Sequence, residues 1–391
     1  MKVNLIVDTN NLFYQNADVK YYANRVGHKF PTTEKKLGSP EALEIFKESI
    51  NVSFRTICQN FSKIDQVYFV QDSSSWRKQV DIHGEKSYKA NREDSHDDMD
   101  WNAWTTGIDW MISSEPHYTN IRMKGFEADD LVCLLNRRLL EEDPTCVNII
   151  LSSDGDFQQL LQPRTLIYHP VRNHIKLLMS EDFTLEDIKI LEEKEPAILE
   201  AATETSNDDP FSIFDVSDIS ITDSNSDVPL HKILQSSLDI HNIDSQEKIC
   251  TKILKGDDKD NVPSSFHWNN KNGNPTRVTD RYVKKIFEKF KEQNLPIHIK
   301  SILKNIEIIK DTLEYEINKS NSKKDTYITV PLEELKHNIF LNFKLLYLSR
   351  QTFPKDLVSK FDQAFEDLKE GKGLFSKIQP TLVDSSNEEL F

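Results

Sequence analysis

Apolar positions fall into short continuous runs in the first part of the chain and into helical stripes later. Val3 to Val7 is such a run and ends at Asp8; Gln66 to Val70 is a second, followed by Asp72; Val147 to Leu151 is a third, just before Asp154. Runs of this length, rich in β-branched residues, predict buried strands. Between them, Ser39-Pro40-Glu41 has the makings of a helix start, with a capping residue, proline at the first position and an acid in the first turn. That helix is expected to run to about Phe61. Glu127 to Glu142 predicts another, with Leu131, Leu134, Leu135 and Leu139 on one face. Such alternation favours an α/β fold, a parallel sheet with helices on both sides.

Further along the pattern changes. Residues 201 to 228 are rich in Ser, Thr, Asp and Asn without a sustained period, and read as a flexible or inserted segment. Gln246 to Leu254 and Asp280 to Phe290 read as helices flanking a long polar connection, and residues 296 to 372 as largely helical. The last stretch, Gln379 to Phe391, is largely polar and reads as disordered until its Leu390-Phe391 end. The expected domains are 1–180, an acidic insert at 181–245, a helical domain at 246–375 and a tail at 376–391.

The net charge of -15, taken as a total, argues against a polyanionic partner, but its distribution removes the objection. Residues 181 to 230 hold fifteen Asp or Glu against two Lys, leaving 49 acids and 47 bases elsewhere. A basic face is therefore affordable, and Lys271, Arg277, Arg281, Lys284, Lys285, Lys289 and Lys291 against Asp280 and Glu288 form a candidate, although a solvated helix face has the same composition. Cys58, Cys133, Cys146 and Cys250 are widely spaced, which suits reduced, buried thiols and neither a zinc site nor a disulfide framework. With no apolar stretch long enough to span a bilayer and no room for a signal peptide before the first strand, the expected location is the cytosol.

Chemistry concentrates in carboxylates. Asp8, Asp72, Glu127, Asp129, Asp130, Asp154, Asp156, Asp257 and Asp260 stand where apolar runs end or helices begin. Acids converging from such places repel one another strongly without cations between them, and an all-oxygen set favours Mg²⁺ or Mn²⁺ over Zn²⁺. Glu127 and Asp130 are three apart and share a helix face; Asp129 points elsewhere. Taken alone, these are ordinary first-turn acids, and Asp154-Gly155-Asp156 an ordinary turn. Their company changes the reading, because acids at the carboxyl ends of parallel strands project into the crevice where open α/β sheets bind ligands.

Six elements then occur in a telling order: Ile6-Val7-Asp8-Thr9-Asn10, Gln71-Asp72, Tyr88-Lys89-Ala90-Asn91-Arg92, Glu127-Ala128-Asp129-Asp130, Ser153-Asp154-Gly155-Asp156-Phe157-Gln158-Gln159-Leu160, and Gly256-Asp257-Asp258-Lys259-Asp260-Asn261-Val262-Pro263. Over roughly residues 1 to 295 the chain resembles the structure-specific 5′ nucleases, which include flap endonucleases, the 5′ nuclease domains of bacterial DNA polymerases and the phage 5′ nucleases. Within them the pattern is most similar to the ribonuclease H of T-even phages, because Ser75-Trp76-Arg77 precedes the Tyr-Lys motif and an extended, Trp-containing hairpin follows Pro263.

The resemblance implies a PIN-like, mostly parallel sheet flanked by helices, then a helical region with a helix-hairpin-helix unit. It implies a Mg²⁺-dependent 5′ to 3′ exonuclease, ribonuclease H and flap endonuclease that removes RNA primers in DNA replication, with Mn²⁺ able to substitute. Asp8, Asp72, Asp129, Asp130 and Asp154 would hold a first ion, directly or through water. Glu127, Asp156, Asp257 and Asp260 would hold or orient a second. Such a pair activates a water and stabilises charge on the attacking and leaving oxygens. Lys89 and Arg92, one helical turn apart, would reach the scissile phosphate; without the acids they would read as a surface pair. Gly256, with Lys255, Lys259, Lys284 and Lys285, would grip the duplex backbone through amides and charge, recognising structure and not sequence.

Asp94 to Trp110, with Asp97, Asp98, Trp101, Trp104 and Trp110, falls where the family places an arch over the site. Its tryptophans could stack on bases of a single strand or form the core-facing stripe of a helix. Leu390 and Phe391 resemble hydrophobic C-terminal peptides with which phage replication proteins bind a sliding clamp. A single-stranded-DNA-binding protein is a further candidate partner, and the chain is expected to be a monomer. Two rivals use the same residues differently: a catalytically silent DNA-binding scaffold, and a PIN-type endoribonuclease, against which the helix-hairpin-helix unit counts.

Overall fold

A computed structural model describes residues 2–17, 37–58, 61, 64–82, 87–90, 99–172, 174–177, 245–270, 272–320, 327–371 and 375. They form two compact units, one within Met1–Ser74, Asp97–Asn242 and Lys360–Phe391, the other within Ser75–His96 and Ile243–Ser359.

The first unit is built on a sheet whose central strand, β1 (Val3–Asp8), is buried along its whole length. From β1 the chain passes through α1 (Thr9–Asn16) and α2 (Pro40–Cys58) to β2 (Gln66–Val70), then through α3 (Trp101–Ser113) to β3 (Tyr118–Ile121). It continues through α4 (Ala128–Glu142) to β4 (Val147–Leu151), β5 (Thr165–His169) and β6 (His174–Lys176). Spatial order is β3-β2-β1-β4-β5-β6. The β1 pairings with β2 and β4, and those of β2 with β3 and β4 with β5, are parallel; only β6 runs antiparallel. Connections leave β1 and β4 in opposite directions, so the carboxyl ends of these two strands flank a switch point, the place where α/β sheets open a crevice.

Alternation along the strands sorts the two faces. Leu5, Val7, Val67, Phe69, Ile149 and Leu151 join a core with Phe46 and Phe54 of α2 and Trp104 and Ile108 of α3. α4 packs against β1, β2 and β4. Between α2 and α3 the approach is close enough that a Cβ on Gly107 would lie 2.6 Å from the Phe46 ring. Trp104 stacks on Phe46 with centroids 5.7 Å apart. The described part of the tryptophan segment, from residue 99 on, is a helix whose core face includes Trp104 alone of the three tryptophans, Trp101 and Trp110 being exposed; Asp94, Asp97 and Asp98 lie outside the described residues.

The predicted strands and helices appear within a few residues of their expected ends; α2 stops at Cys58, where Phe61 N–H closes the turn onto the Cys58 carbonyl at 3.0 Å. Strands β3, β5 and β6 were not anticipated. They are short and interrupted by polar residues (YTNI, TLIYH, HIK), and it is the neighbouring strands that make them strands.

The second unit contains α5 (Ser245–Lys255), a hairpin of β7 (His267–Asn269) and β8 (Pro275–Arg277), and then α6 (Asp280–Glu292), α7 (Ile299–Lys304), α8 (Ile306–Ser320) and α9 (Leu332–Leu346). α6 buries Val283, Ile286, Phe287 and Phe290 on one face and turns its lysines outward. Residues expected in the N-terminal domain join this unit instead: Trp76 packs edge-on to Phe353, and the Arg77 side chain, 2% exposed, donates from Nε to the Leu345 carbonyl at 2.8 Å. Conversely, the later part of α10 (Lys355–Lys369) belongs with the first unit, where Arg138 of α4 pairs with Glu366 and lies over the Phe365 ring. Sequence contiguity does not reveal either exchange. Among the described residues no helix is long and apolar enough to cross a membrane.

Candidate metal and nucleic-acid site

The carboxyl ends of β1, β2 and β4 bring Asp8, Asp72 and Asp154 into one neighbourhood of the first unit. Asp8 is the last residue of β1 and caps α1, its Oδ1 accepting the Asn11 N–H at 3.2 Å. Its other oxygen accepts the Ser152 hydroxyl at 2.7 Å, and the Ser152 Oγ in turn accepts the Asp154 N–H at 3.0 Å. One buried serine thus ties the end of β1 to the loop after β4. Asp154 then receives the Asp156 N–H at 2.9 Å, which starts the single 3-10 turn Asp156–Leu160.

On the other side of β1, Asp72 accepts the Asn10 amide at 2.7 Å and the Ala128 N–H at 2.7 Å. The second bond carries the site to the N-terminus of α4. There Glu127 and Asp130 form a capping box, with Glu127 N–H donating to Asp130 Oδ2 at 3.3 Å. Asp130 is fully buried and Glu127 nearly so, whereas Asp129 is half-buried. The expectation that Glu127 and Asp130 share a face and Asp129 points away matches this placement.

Burial pushes the Asp8 carboxyl up to about 7, with the nearby charges of Asp72 and, less strongly, Asp154 adding to the shift and the Ser152 and Asn11 hydrogen bonds opposing it. A buried carboxylate held against two others is the arrangement a divalent cation relieves. The donors are all oxygen, which suits Mg²⁺ or Mn²⁺. As the side chains stand, no group of three acidic, His or Cys residues among those described is gathered closely enough to hold an ion. Asp8 is turned onto Ser152 and Asn11, Asp72 onto Asn10 and Ala128, and Asp130 onto the Glu127 amide.

Pattern reading passed over the supporting residues. Asn11 Oδ1 accepts both the N–H and the hydroxyl of Ser153, at 3.0 and 2.8 Å, and Gln15 donates to Asn11 and to Ser153. The available signal was a pair of polar segments, Thr9-Asn10-Asn11 and Ser152-Ser153, each directly after a buried strand.

Asp257, Asp260 and Lys89 lie in the second unit. Asp257 caps a 3-10 turn, Asp258–Asp260, and pairs with Lys252 at 2.8 Å. Asp260 is buried and accepts the Tyr88 hydroxyl at 3.3 Å. Lys89 departs from the expected helical turn, since its φ of 58° is left-handed. Arg92 lies outside the described residues, as do Lys271, the acidic insert, Leu390 and Phe391.

The expected helix, hairpin, helix order is present: α5, the turn, β7–β8 and α6. Gly256 (φ 82°) is required at the turn, because a Cβ there would lie 2.5 Å from the Val262 and Pro263 carbonyl oxygens. Its N–H is bonded to the Lys252 carbonyl at 2.7 Å, so Gly256 shapes the turn and does not itself offer an amide. Of the expected DNA-contacting lysines, Lys255 pairs with Asp280 and Lys285 with Glu288, while Lys259 and Lys284 are exposed. Arg277 makes a two-armed pair with Asp258, holding β8 to the turn.

Residues 3–191 match the family model of the 5′-3′ exonuclease N-terminal, resolvase-like domain. No curated protein sequence matches the chain. Among solved structures, a flap endonuclease of bacteriophage T5, in a pseudo-enzyme-product complex with DNA and metal ions, superimposes with a TM-score of 0.50 at 13% identity, over 94% of this chain and 100% of that one. A bacteriophage T5 5′-exonuclease with bound divalent zinc ions gives a TM-score of 0.48 at 14% identity, over 93% and 97%. At this identity the first likeness is one of fold.

Proposed function

Because its residues 3–191 are a 5′-3′ exonuclease N-terminal, resolvase-like domain and it belongs with the structure-specific 5′ nucleases, we propose that this chain hydrolyses phosphodiester bonds near the 5′ end of a strand at a junction between single strand and duplex. The observation that carries the proposal is the convergence of Asp8, Asp72, Asp154 and the α4 N-terminus with Glu127 and Asp130 at one switch point.

Asp8, Asp72, Asp129, Asp130 and Asp154, with Glu127 and Asp156, are the residues that would hold divalent metal, Mg²⁺ by the chemistry of the donors. Bound there, the metal supplies an activated water and charge stabilisation for phosphodiester hydrolysis. The chain's own part is to aim the acids. Ser152 sets Asp8 against Asp154, and the Ala128 amide sets Asp72 against α4. Asp257 and Asp260, carried over from the family as ligands, have partners within their own unit in Lys252 and Tyr88. Lys89 is assigned to the scissile phosphate with Arg92. The turn after α5, the N-terminus of α6 and the exposed Lys259 and Lys284 are assigned to the duplex backbone, where amides and lysines neutralise phosphates without reading bases. RNA primers ahead of a polymerase are the substrate that this chemistry would remove during replication.

The experiment is a time course on 5′-labelled flapped and RNA-primed duplexes with Mg²⁺, with EDTA and with Asp154→Asn. Cleavage near the 5′ end that needs both the metal and Asp154 is expected. Metal-independent binding without cleavage would instead identify a silent scaffold, and preference for unstructured RNA an endoribonuclease.

A further inference from the structure

Within the second unit, the turn after α5 is fastened to the loop carrying Lys89 by consecutive hydrogen bonds. The Asn261 side chain donates to the Ser87 carbonyl at 3.2 Å, the Tyr88 hydroxyl donates to Asp260 Oδ2 at 3.3 Å, and the Lys89 N–H donates to the Asp260 carbonyl at 3.0 Å. Both partners are left-handed, Lys89 with φ 58° and Asn261 with φ 55°, a state that asparagine adopts readily and lysine does not. A left-handed lysine costs about 1–2 kcal/mol relative to the right-handed region, so a loop free of the turn would relax.

Tyr88 is the fulcrum. Its ring is 3% exposed and sits in the core of the second unit, with the buried Arg77 guanidinium 5.8 Å from its centroid. The Lys89 ammonium lies 5.1 Å from the same centroid, held along the tyrosine by attraction of the cation to the ring face. The direction in which Lys89 leaves the backbone is thus dictated by the turn, through Asp260 and Asn261.

We propose that Tyr88 and Asn261 are positioning residues that hold Lys89 in its working direction, so that the turn assigned to the duplex backbone also aims the lysine. This rests on the role given to Lys89 under Proposed function. Neither residue need touch the reacting atoms. Tyr88 acts through its hydroxyl on Asp260, and Asn261 through its amide on Ser87; both act on the geometry of residue 89.

The test is a double-mutant analysis in the full-length protein on a 5′-flap duplex with Mg²⁺. Tyr88→Phe removes only the hydroxyl. Asn261→Gly removes the side chain while keeping a residue that accepts the left-handed state. Together they are expected to lower the single-turnover cleavage rate about tenfold, because misplacement of a positioned group by a fraction of an ångström is costly. The rates are taken at saturating enzyme and saturating Mg²⁺, and duplex affinity is measured beside them with Ca²⁺, so that any change in the turn's own grip on the duplex or in Asp260 does not enter the comparison. In a Lys89→Ala background the same substitutions are expected to bring no further loss. Equal losses with and without Lys89, or a loss carried by duplex affinity, overturn the positioning role and leave the lysine's role standing. A Lys89→Ala protein that cleaves at the wild-type rate overturns both. Matched thermal melting of Tyr88→Phe, the milder change, keeps the result readable if Asn261→Gly folds poorly.

Discussion

Asp72, just beyond the end of β2, accepts the backbone N–H of Ala128, the first residue of α4, at 2.7 Å. A strand end and a helix N-terminus separated by more than fifty residues of sequence are thereby pinned together, and the same carboxylate receives the Asn10 amide from the opening of α1. Asp72 is thus both a candidate ligand and a structural tie. Asp72→Ala should destabilise the metal-free protein by about 1 kcal/mol, the usual worth of such a bond, and reduce cleavage by at least about a hundredfold. Thermal melting in EDTA and single-turnover kinetics measure the two separately; an unchanged melting temperature would remove the tie.

Ser152 links two strand ends through one oxygen, donating to Asp8 and accepting from Asp154. Ser152→Ala should cut the cleavage rate about tenfold without preventing metal binding, because both acids remain but lose their mutual alignment. Ser152→Thr, which keeps the hydroxyl, should recover part of the rate. Identical rates for the alanine and wild-type proteins would show that the serine only fills space.

Asp8 gives the protein a pH-dependent cost when metal is absent. Its carboxyl sits at about 7 in the fold, against 3.8 for an ordinary aspartate, chiefly through burial. Between these values the unfolded chain has released a proton that the folded protein retains, so folding stability falls as pH rises from about 4 through 7 and levels off above. Asp8→Asn lacks this term. In EDTA it should be more stable than wild type by up to about 4 kcal/mol at pH 8 and by little at pH 4, while being inactive. Denaturant melts across that range decide it; a pH-independent difference would be the contrary result.

Gly256 occupies a left-handed position with no room for a side chain, φ 82° and a would-be Cβ 2.5 Å from two backbone oxygens. Gly256→Ala must move the turn. The expected outcome is a loss of more than about 2 kcal/mol in the second unit and weakened binding to duplex DNA. Fluorescence anisotropy with a flapped duplex in Ca²⁺ reads the binding, and wild-type affinity in a folded Gly256→Ala protein would detach the turn from the duplex.

Much of the fold follows from local pattern. β1, β2 and β4 are continuous apolar runs because both their faces are covered, and such runs are visible in any sequence. The same is true of α2, α4 and α6, whose stripes have helical period. β3, β5 and β6 lacked that signal, being short strands whose conformation is imposed by the strands beside them. Among the acids, Asp8, Asp72 and Asp154 were legible because they sit where those apolar runs stop.

What the sequence determined alone was the inventory: which acids, after which strands, with Glu127 and Asp130 three apart on a helix start. Tertiary structure decided how they are used. That Ser152 bridges Asp8 and Asp154, that Asp72 reaches the Ala128 amide, that Lys89 is left-handed on the Asp260 turn, and that Trp76 and Arg77 pack within the second unit all depend on pairings between residues far apart in the chain. The physical reason is one of range. Periodicity and turn chemistry report on neighbours within a few residues, whereas a hydrogen bond or a buried charge is created only when the sheet order β3-β2-β1-β4 and the helical packing bring distant groups to one place.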